Sequence, residues 1–117
     1  MRKENDLSKR LFEFAVRVIK FLRTLPNYTE LKVINYQLIK SSTSSGANYE
    51  ESQGASSRAD FSNKVFISLK EMRESNYWLR VIEAIVDHES VELRVLIKKS
   101  EELKNILGSI TAKTRTK

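Results

Sequence analysis

Apolar residues recur along this chain every three or four positions, which is the period of an amphipathic helix rather than of a strand. The first such stretch starts at Leu7 and stops before Pro26, because a residue that precedes proline is excluded from the helical region. Its inward positions are Leu7, Leu11, Phe14, Val18, Phe21 and Leu25. The pattern predicts a helix over residues 7–25, with Asn5 or Asp6 as its N-cap.

The second stretch changes character halfway along. It opens at Asn27, with Glu30 placed to complete a capping box, but residues 41–48 are rich in serine, and their propensity alone favours a loop. The small residues nevertheless keep the helical spacing, at Leu38, Ser41, Ser45, Asn48 and Ser52. We therefore predict one helix over residues 28–53, with Gly46 as the point at which it could bend.

Two further stretches complete the pattern. Ser57 and Asp60 form a capping box before a helix predicted over residues 58–86, and a fourth helix is predicted over residues 89–110. The polar tail, residues 111–117, is expected to be frayed. Long helices joined by short turns are typical of an all-α, antiparallel, up-down four-helix bundle, here a single domain over residues 1–117.

Some apolar residues lie outside these inward stripes. They are Phe12, Val16, Ile19, Val33, Tyr36, Phe66 and Tyr77. A monomeric bundle needs one apolar face per helix, so the additional apolar positions favour a homo-oligomer. The alternative is a wide core stripe with scattered exposed apolar residues, which are common.

Composition excludes several classes of protein. The chain has no cysteine and a single histidine, His88, so it can form neither a disulfide framework nor a zinc site with cysteine or paired histidine ligands. It has no apolar run long enough to span a membrane and no signal-peptide pattern at its start. We expect a cytoplasmic protein without a cofactor, a metal or an enzymatic activity.

Charge is distributed unevenly. Residues 1–40 carry nine Lys and Arg against four Asp and Glu, residues 41–90 carry five against eight, and residues 91–117 carry seven against three. In an up-down bundle of four helices the two basic ends of the chain meet, which predicts a basic rim that binds phosphates. The candidate residues are Arg2, Lys3, Lys9, Arg10, Arg17, Lys20, Lys113, Arg115 and Lys117. The alternative is that these are solvated termini that bind nothing.

Three segments together resemble a known family. They are residues 41–49, with Gly46, Ala47 and Asn48; residues 59–65, with Asp60 and Phe61; and residues 70–79, with Glu71, Glu74, Tyr77, Trp78 and Leu79. The combination is similar to the bacterial four-helix bundle family, also called the 23S rRNA intervening-sequence protein family. The likeness extends from about Phe14 to Ile110.

The resemblance implies a left-handed bundle that assembles into a ring, commonly a pentamer. Some members of the family are encoded within insertions in 23S rRNA genes, and a related branch contains the accessory protein of diversity-generating retroelements, which engages nucleic acid. Most members have no assigned activity. We therefore expect a non-enzymatic, RNA-binding assembly module, with a protein-interaction scaffold that has no nucleic-acid role as the alternative.

The motif residues allow structural and functional interpretations. Asn48 is expected to donate a hydrogen bond to helix three and so to set helix register, although it could instead recognise a ligand. Glu71 and Glu74 share a helix face; intrahelical or intersubunit ion pairs with lysine or arginine are the main interpretation, and metal-dependent hydrolysis is the weakest one. Tyr77 and Trp78 are expected to pack in the core or an interface, with base stacking as the alternative.

Overall fold

The computed structural model describes residues 3–115, apart from the side chains of residues 3–5, and over this range the protein is all-α. Its four helices are α1 (Lys3–Leu22), α2 (Thr29–Ser52), α3 (Arg58–Ile85) and α4 (Val91–Arg115). Each helix packs against its two neighbours around the bundle, which measures 47 × 26 × 21 Å. The predicted four-helix fold is confirmed.

The core consists of the apolar stripes that the sequence predicts. Every predicted inward residue of α1 from Leu7 to Phe21 is buried. Helix α3 contributes Val65, Met72, Leu79 and Ile82, and α4 contributes Leu93, Leu96, Leu103 and Leu107, all fully or almost fully buried. The predicted outlying residues Phe12 and Tyr36 are each 64% exposed.

Helix α2 runs without interruption through the serine-rich segment. Ser41, Ser42 and Ser45 are buried, and no residue from 3 to 115 has a positive φ angle that would mark a break. Two of these serines contact α3. The hydroxyls of Ser41 and Ser75 are 2.7 Å apart, and those of Ser45 and Ser68 are 3.1 Å apart. Packing against serines of α3 therefore outweighs the low helix propensity of this segment.

Some helix ends differ from their predicted positions. Helix α1 stops at Leu22, three residues before the predicted end. Tyr28, rather than Asn27, is the N-cap of α2, and its side chain makes no capping bond. Ser57 does cap α3, since its hydroxyl accepts a hydrogen bond from the Asp60 backbone N–H at 3.0 Å.

The predicted frayed tail is helical as far as Arg115. The Thr114 hydroxyl lies 3.2 Å from the Ser62 hydroxyl of α3, and the Arg115 guanidinium lies over the ring of Phe66. These contacts hold the last turn of α4 against α3. A polar sequence thus remains helical here because its side chains have partners on a neighbouring helix.

Candidate nucleic-acid interface

The structure describes most, but not all, of the residues in the predicted basic rim. Arg2 and Lys117 lie outside the described residues, and Lys3 is described only in its backbone, which is in the first turn of α1. Lys9, Lys20 and Lys113 are exposed, with Lys113 in the last turn of α4. The remaining members of the set are Arg10, Arg17 and Arg115.

Two of these arginines are bound by carboxylates of α4. Arg17 donates two hydrogen bonds to Glu92, at 2.6 and 2.9 Å, and Arg10 donates one to Glu102 at 3.0 Å. The hydrogen bond to Glu92 also raises the pKa of Arg17, which remains charged. Because both pairs are solvent-exposed, they hold the arginines only weakly. The face of α1 that the sequence predicts to be a basic patch is therefore largely neutralised by α4.

Arg115 has a different environment. Its guanidinium carbon lies 4.8 Å from the centre of the Phe66 ring, over which Lys70 also lies at 5.6 Å. It borders a cleft between the first turns of α3 and the end of α4, whose other lining residues include Arg58 and Asn63. The sequence pattern did not single out Arg58, Asn63 or Phe66 as binding residues. The sequence signal that could have identified them is their helical spacing, which places all three residues near the start of α3.

Gly46 and Ala47 line a second, apolar groove between α1 and α2, of about 510 Å³. A Cβ atom placed on Gly46 would lie 3.6 Å from the Cβ of Leu11, so α1 approaches α2 closely at this point. Phe12 borders the same groove and is mostly exposed. The groove is therefore an uncovered apolar surface beside a close helix–helix contact.

Asn48 does not bond to α3 as expected. Its side-chain amide donates to the backbone oxygen of Ser44 at 2.9 Å and to the Ser44 hydroxyl at 3.1 Å, both within α2. Polar bonds between the helices are made instead by other residues of the motif segments, among them Ser41, Ser45 and Asn76. Asn76 of α3 donates to the Ser100 hydroxyl of α4 at 2.8 Å and accepts a bond from the Arg80 side chain at 2.9 Å. A buried amide does link helices, but it is Asn76, four positions after the inward Met72.

Glu71 and Glu74 have neither of the expected salt bridges among the described residues. Glu74 accepts a hydrogen bond from the indole N–H of Trp78 at 3.0 Å. Burial raises the pKa of Glu71, as does the charge of Glu74, whereas Lys40 and Lys70 act in the opposite direction. The expected ion pairs within the chain are therefore absent among the described side chains, although lysines are close enough to act on Glu71; pairs between subunits stay a prediction.

The three aromatic and apolar residues at the end of this motif point in different directions. Leu79 is fully buried, Trp78 is half-buried against the core, and Tyr77 is 51% exposed. The rings of Tyr77 and Trp78 meet edge to face with centroids 5.0 Å apart. Trp78 therefore packs as expected, and Tyr77 offers a half-open ring at the surface.

The remaining candidates are structural or solvent-facing. Asp60 accepts a hydrogen bond from the Ser56 backbone N–H at 3.1 Å, and Phe61 packs against the edge of the core. His88 is exposed in the turn between α3 and α4. Within residues 3–115 no group of three His, Asp or Glu side chains is arranged to hold a metal ion. None of the helices in this range combines the length and apolar character needed to cross a bilayer.

Comparison with known proteins agrees with the fold and with the family resemblance. A crystal structure of a protein of unknown function from the S23 ribosomal protein family of Bacteroides thetaiotaomicron superposes with a TM-score of 0.84. The two sequences are 35% identical over 95% of this chain and 99% of that chain. No match was found among curated proteins. The family model for 23S rRNA-intervening sequence proteins matches residues 3–109, and the chain belongs to that family.

Proposed function

We propose that this protein is a non-enzymatic, RNA-binding homo-oligomer. Each copy is an antiparallel, left-handed, up-down bundle, and the copies form a ring, with five as the expected number. RNA binds to basic residues near the two ends of the chain. The observation that carries the proposal is Arg115, a cation at the end of α4 that has no carboxylate within 4 Å among the described residues.

Contacts between helices support the antiparallel arrangement. Ser41 pairs with Ser75 and Ser45 with Ser68, so residue numbers rise along α2 as they fall along α3. Two basic segments then lie at one end of the bundle, the start of α1 and the end of α4, where the last turn contains Lys113 and Arg115. Repeating this end around a ring would concentrate positive potential on one rim.

The apolar groove between α1 and α2 supports assembly. Phe12 is 64% exposed and Ile39 is 36% exposed, and the groove that Phe12 borders contains one charged residue, Glu50. A ring is built from a head-to-tail interface in which a surface of one copy meets a different surface of the next. We assign the groove to one side of that interface, with a second copy of this chain as its occupant.

Native mass spectrometry tests the assembly. The wild-type protein is expected to give a single closed oligomer, and Phe12→Glu, which places a charge in the groove, is expected to give monomers with unchanged helix content by circular dichroism. Val91→Glu is the matched control, because Val91 is 70% exposed at the start of α4. A monomeric wild-type protein, or equal dissociation of both variants, would reject the groove as the interface.

Fluorescence anisotropy with a labelled, structured RNA tests binding. Replacing Lys9, Arg10, Lys113 and Arg115 together with glutamine should weaken binding strongly and reduce its dependence on salt concentration. The matched control replaces four exposed cations elsewhere: Lys32, Lys40, Arg73 and Lys98. Equal losses in the two variants would show that the end of the bundle has no special role.

The alternative, a protein-interaction scaffold with no nucleic-acid role, is favoured by the exposed apolar residues Val33 and Tyr77, which lie outside the α1–α2 groove. The two functions give different results with purified protein. A scaffold would elute free of nucleic acid, with the absorbance ratio of protein alone at low salt. An RNA-binding protein would carry nucleic acid that a high-salt wash removes.

A further inference from the structure

The cleft at the end of α4 has the composition of a phosphate site. It is open to solvent, has a volume of about 710 Å³ and lies between the first two turns of α3 and the last turn of α4. Its lining residues are Arg58, Ala59, Ser62, Asn63, Phe66, Thr114 and Arg115. Among the described side chains the lining contains two guanidinium groups and no carboxylate, so the cleft is electropositive. We call it the α3–α4 cleft.

The arginines of this cleft differ from the arginines of the bundle that form ion pairs. Arg10, Arg17 and Arg94 each have a carboxylate oxygen within 4 Å. Among the described side chains, those of residues 6–115, neither Arg58 nor Arg115 has such a partner. Their donors are therefore available to an anion without first breaking an ion pair, whereas a phosphate that approached Arg17 would have to displace Glu92.

Phe66 holds Arg115 in position. The guanidinium carbon is 4.8 Å from the ring centre, a distance at which the cation is attracted to the face of the ring. Because stacking leaves the N–H groups at the edge of the guanidinium plane free, Arg115 can still donate two parallel hydrogen bonds to a phosphate. Lys70, 5.6 Å from the same ring centre, adds a third positive charge beside the cleft.

Polar groups on both walls complete the cleft. The hydroxyls of Ser62 and Thr114 are 3.2 Å apart and join α3 to α4. Asn63 is exposed on the α3 side and offers an amide that can both donate and accept. Hydroxyl and amide groups beside a phosphate site can bond to a ribose 2′-hydroxyl, which distinguishes RNA from DNA.

We propose that the α3–α4 cleft binds a backbone phosphate of single-stranded RNA between Arg58 and Arg115, with Asn63 directed to the adjoining ribose. This inference rests on the proposed RNA-binding function and adds the position of the contact. It also reassigns the main contact, from the α1 face that includes Arg10 and Arg17 to the start of α3 and the end of α4. Arg58 becomes a primary binding residue.

The test is fluorescence anisotropy with a labelled single-stranded RNA of about ten nucleotides, within the range that single-stranded binding sites cover. The wild-type protein is compared with Arg58→Gln, Arg115→Gln and the double variant across a series of salt concentrations. The matched control is Arg10→Gln/Arg17→Gln, which removes the same number of arginines from the face neutralised by α4. Helix content and melting temperature are measured for every variant.

The double variant is expected to bind at least about tenfold more weakly, and its salt slope is expected to fall by about 0.7, because the two arginines neutralise one phosphate of a single strand. The control should change both quantities less. Arg58→Lys, which keeps the charge but loses the planar fork, should be intermediate. A double variant that binds like wild-type protein overturns the cleft and leaves RNA binding in place. Wild-type protein that binds no RNA at low salt overturns the proposed function itself.

Discussion

Ser45 of α2 and Ser68 of α3 each donate a side-chain hydrogen bond to the backbone of the other residue. The Ser68 hydroxyl donates to the Ser45 carbonyl oxygen at 2.7 Å, and the Ser45 hydroxyl donates to the Ser68 carbonyl oxygen at 2.9 Å. Both side chains are fully buried. The two helices are thus joined by a reciprocal pair of side-chain-to-backbone bonds inside the core.

This pair predicts coupled effects on stability. Ser45→Ala or Ser68→Ala should each lower the free energy of unfolding by about 1 kcal/mol, since each removes one buried hydrogen bond. The double variant should cost less than the sum, because the remaining hydroxyl loses its partner hydroxyl in either single variant. Urea unfolding of the four proteins measures the coupling, and strictly additive losses would show that the contact between the two hydroxyls, 3.1 Å apart, contributes nothing.

Asn76 should be the polar core residue most sensitive to truncation. Asn76→Ala removes the donor to Ser100 and the acceptor for Arg80, and is expected to cost about 1–3 kcal/mol. Ser100→Ala should cost less, because Asn76 still accepts the hydrogen bond from Arg80 in that variant. Thermal and urea unfolding give the order, and a larger loss for Ser100→Ala would reverse this assignment.

Glu71 predicts a pH-dependent stability. Burial raises the pKa of its carboxyl group in the folded state, so the favourable contribution is present at acidic pH and is lost as the pH rises through the folded-state pKa. Glu71→Gln should therefore stabilise the protein at pH 7, by at most about 1 kcal/mol because solvent still reaches the group. The difference should disappear near pH 4.

Urea unfolding at the two pH values measures this effect. Glu101→Gln, on the exposed side of α4, is the control for removing a negative charge from a basic protein. A Glu71→Gln variant that is less stable than wild type at pH 7 would show that the carboxylate is stabilised by its lysine neighbours instead.

Gly46 should accept alanine but not a larger residue. The added Cβ would make an ordinary contact with Leu11, and alanine is favoured over glycine in a helix, so Gly46→Ala should raise stability by about 0.5–1 kcal/mol. Gly46→Leu should destabilise by about 1–3 kcal/mol by displacing α1. Gly108→Ala, with no atom within 4 Å of the added Cβ, isolates the propensity effect. A melting temperature that falls for Gly46→Ala alone would mean that α1 cannot adjust.

The ion pair between Arg17 and Glu92 should contribute little to the free energy of unfolding, although it engages hydrogen-bond donors of the Arg17 guanidinium. Glu92→Gln is expected to lower the free energy of unfolding by about 0.2–1 kcal/mol at low salt and by less at high salt. If Arg17 belongs to the RNA-binding surface, the same variant should bind RNA more tightly. Unchanged RNA affinity would remove Arg17 from that surface.

Sequence patterns predicted the helices better than the polar contacts between them. The stripe from Leu7 to Phe21 identified the buried face of α1 because apolar burial depends on spacing along a single helix. The continuation of α2 through Ser41 and Ser45 was also predicted from spacing, against local propensity. By contrast, the partner of Asn48 was predicted incorrectly, because an amide on a helix can reach a carbonyl of its own preceding turn.

Sequence patterns also failed to predict the contacts of the basic surface. Counting charges located the cationic ends of the chain but could not show that Glu92 and Glu102 lie opposite Arg17 and Arg10. Those pairs depend on the axial position of α4 relative to α1, which no spacing within one helix encodes. Arg58 was not selected because the middle of the chain carries a net negative charge, and only the folded bundle brings Arg58 to the α3–α4 cleft beside Arg115.

The serine contacts between α2 and α3 restrict how these helices can slide. A leucine interface stays apolar after a shift of one helical turn, about 5.4 Å, but a serine hydroxyl reaches its carbonyl partner at a single offset. Replacing Ser41, Ser45, Ser68 and Ser75 with larger apolar residues could thus increase burial and melting temperature while allowing several alignments. These four small side chains therefore fix the axial alignment of α2 and α3. The positions of α1 and α4 are set relative to that aligned pair.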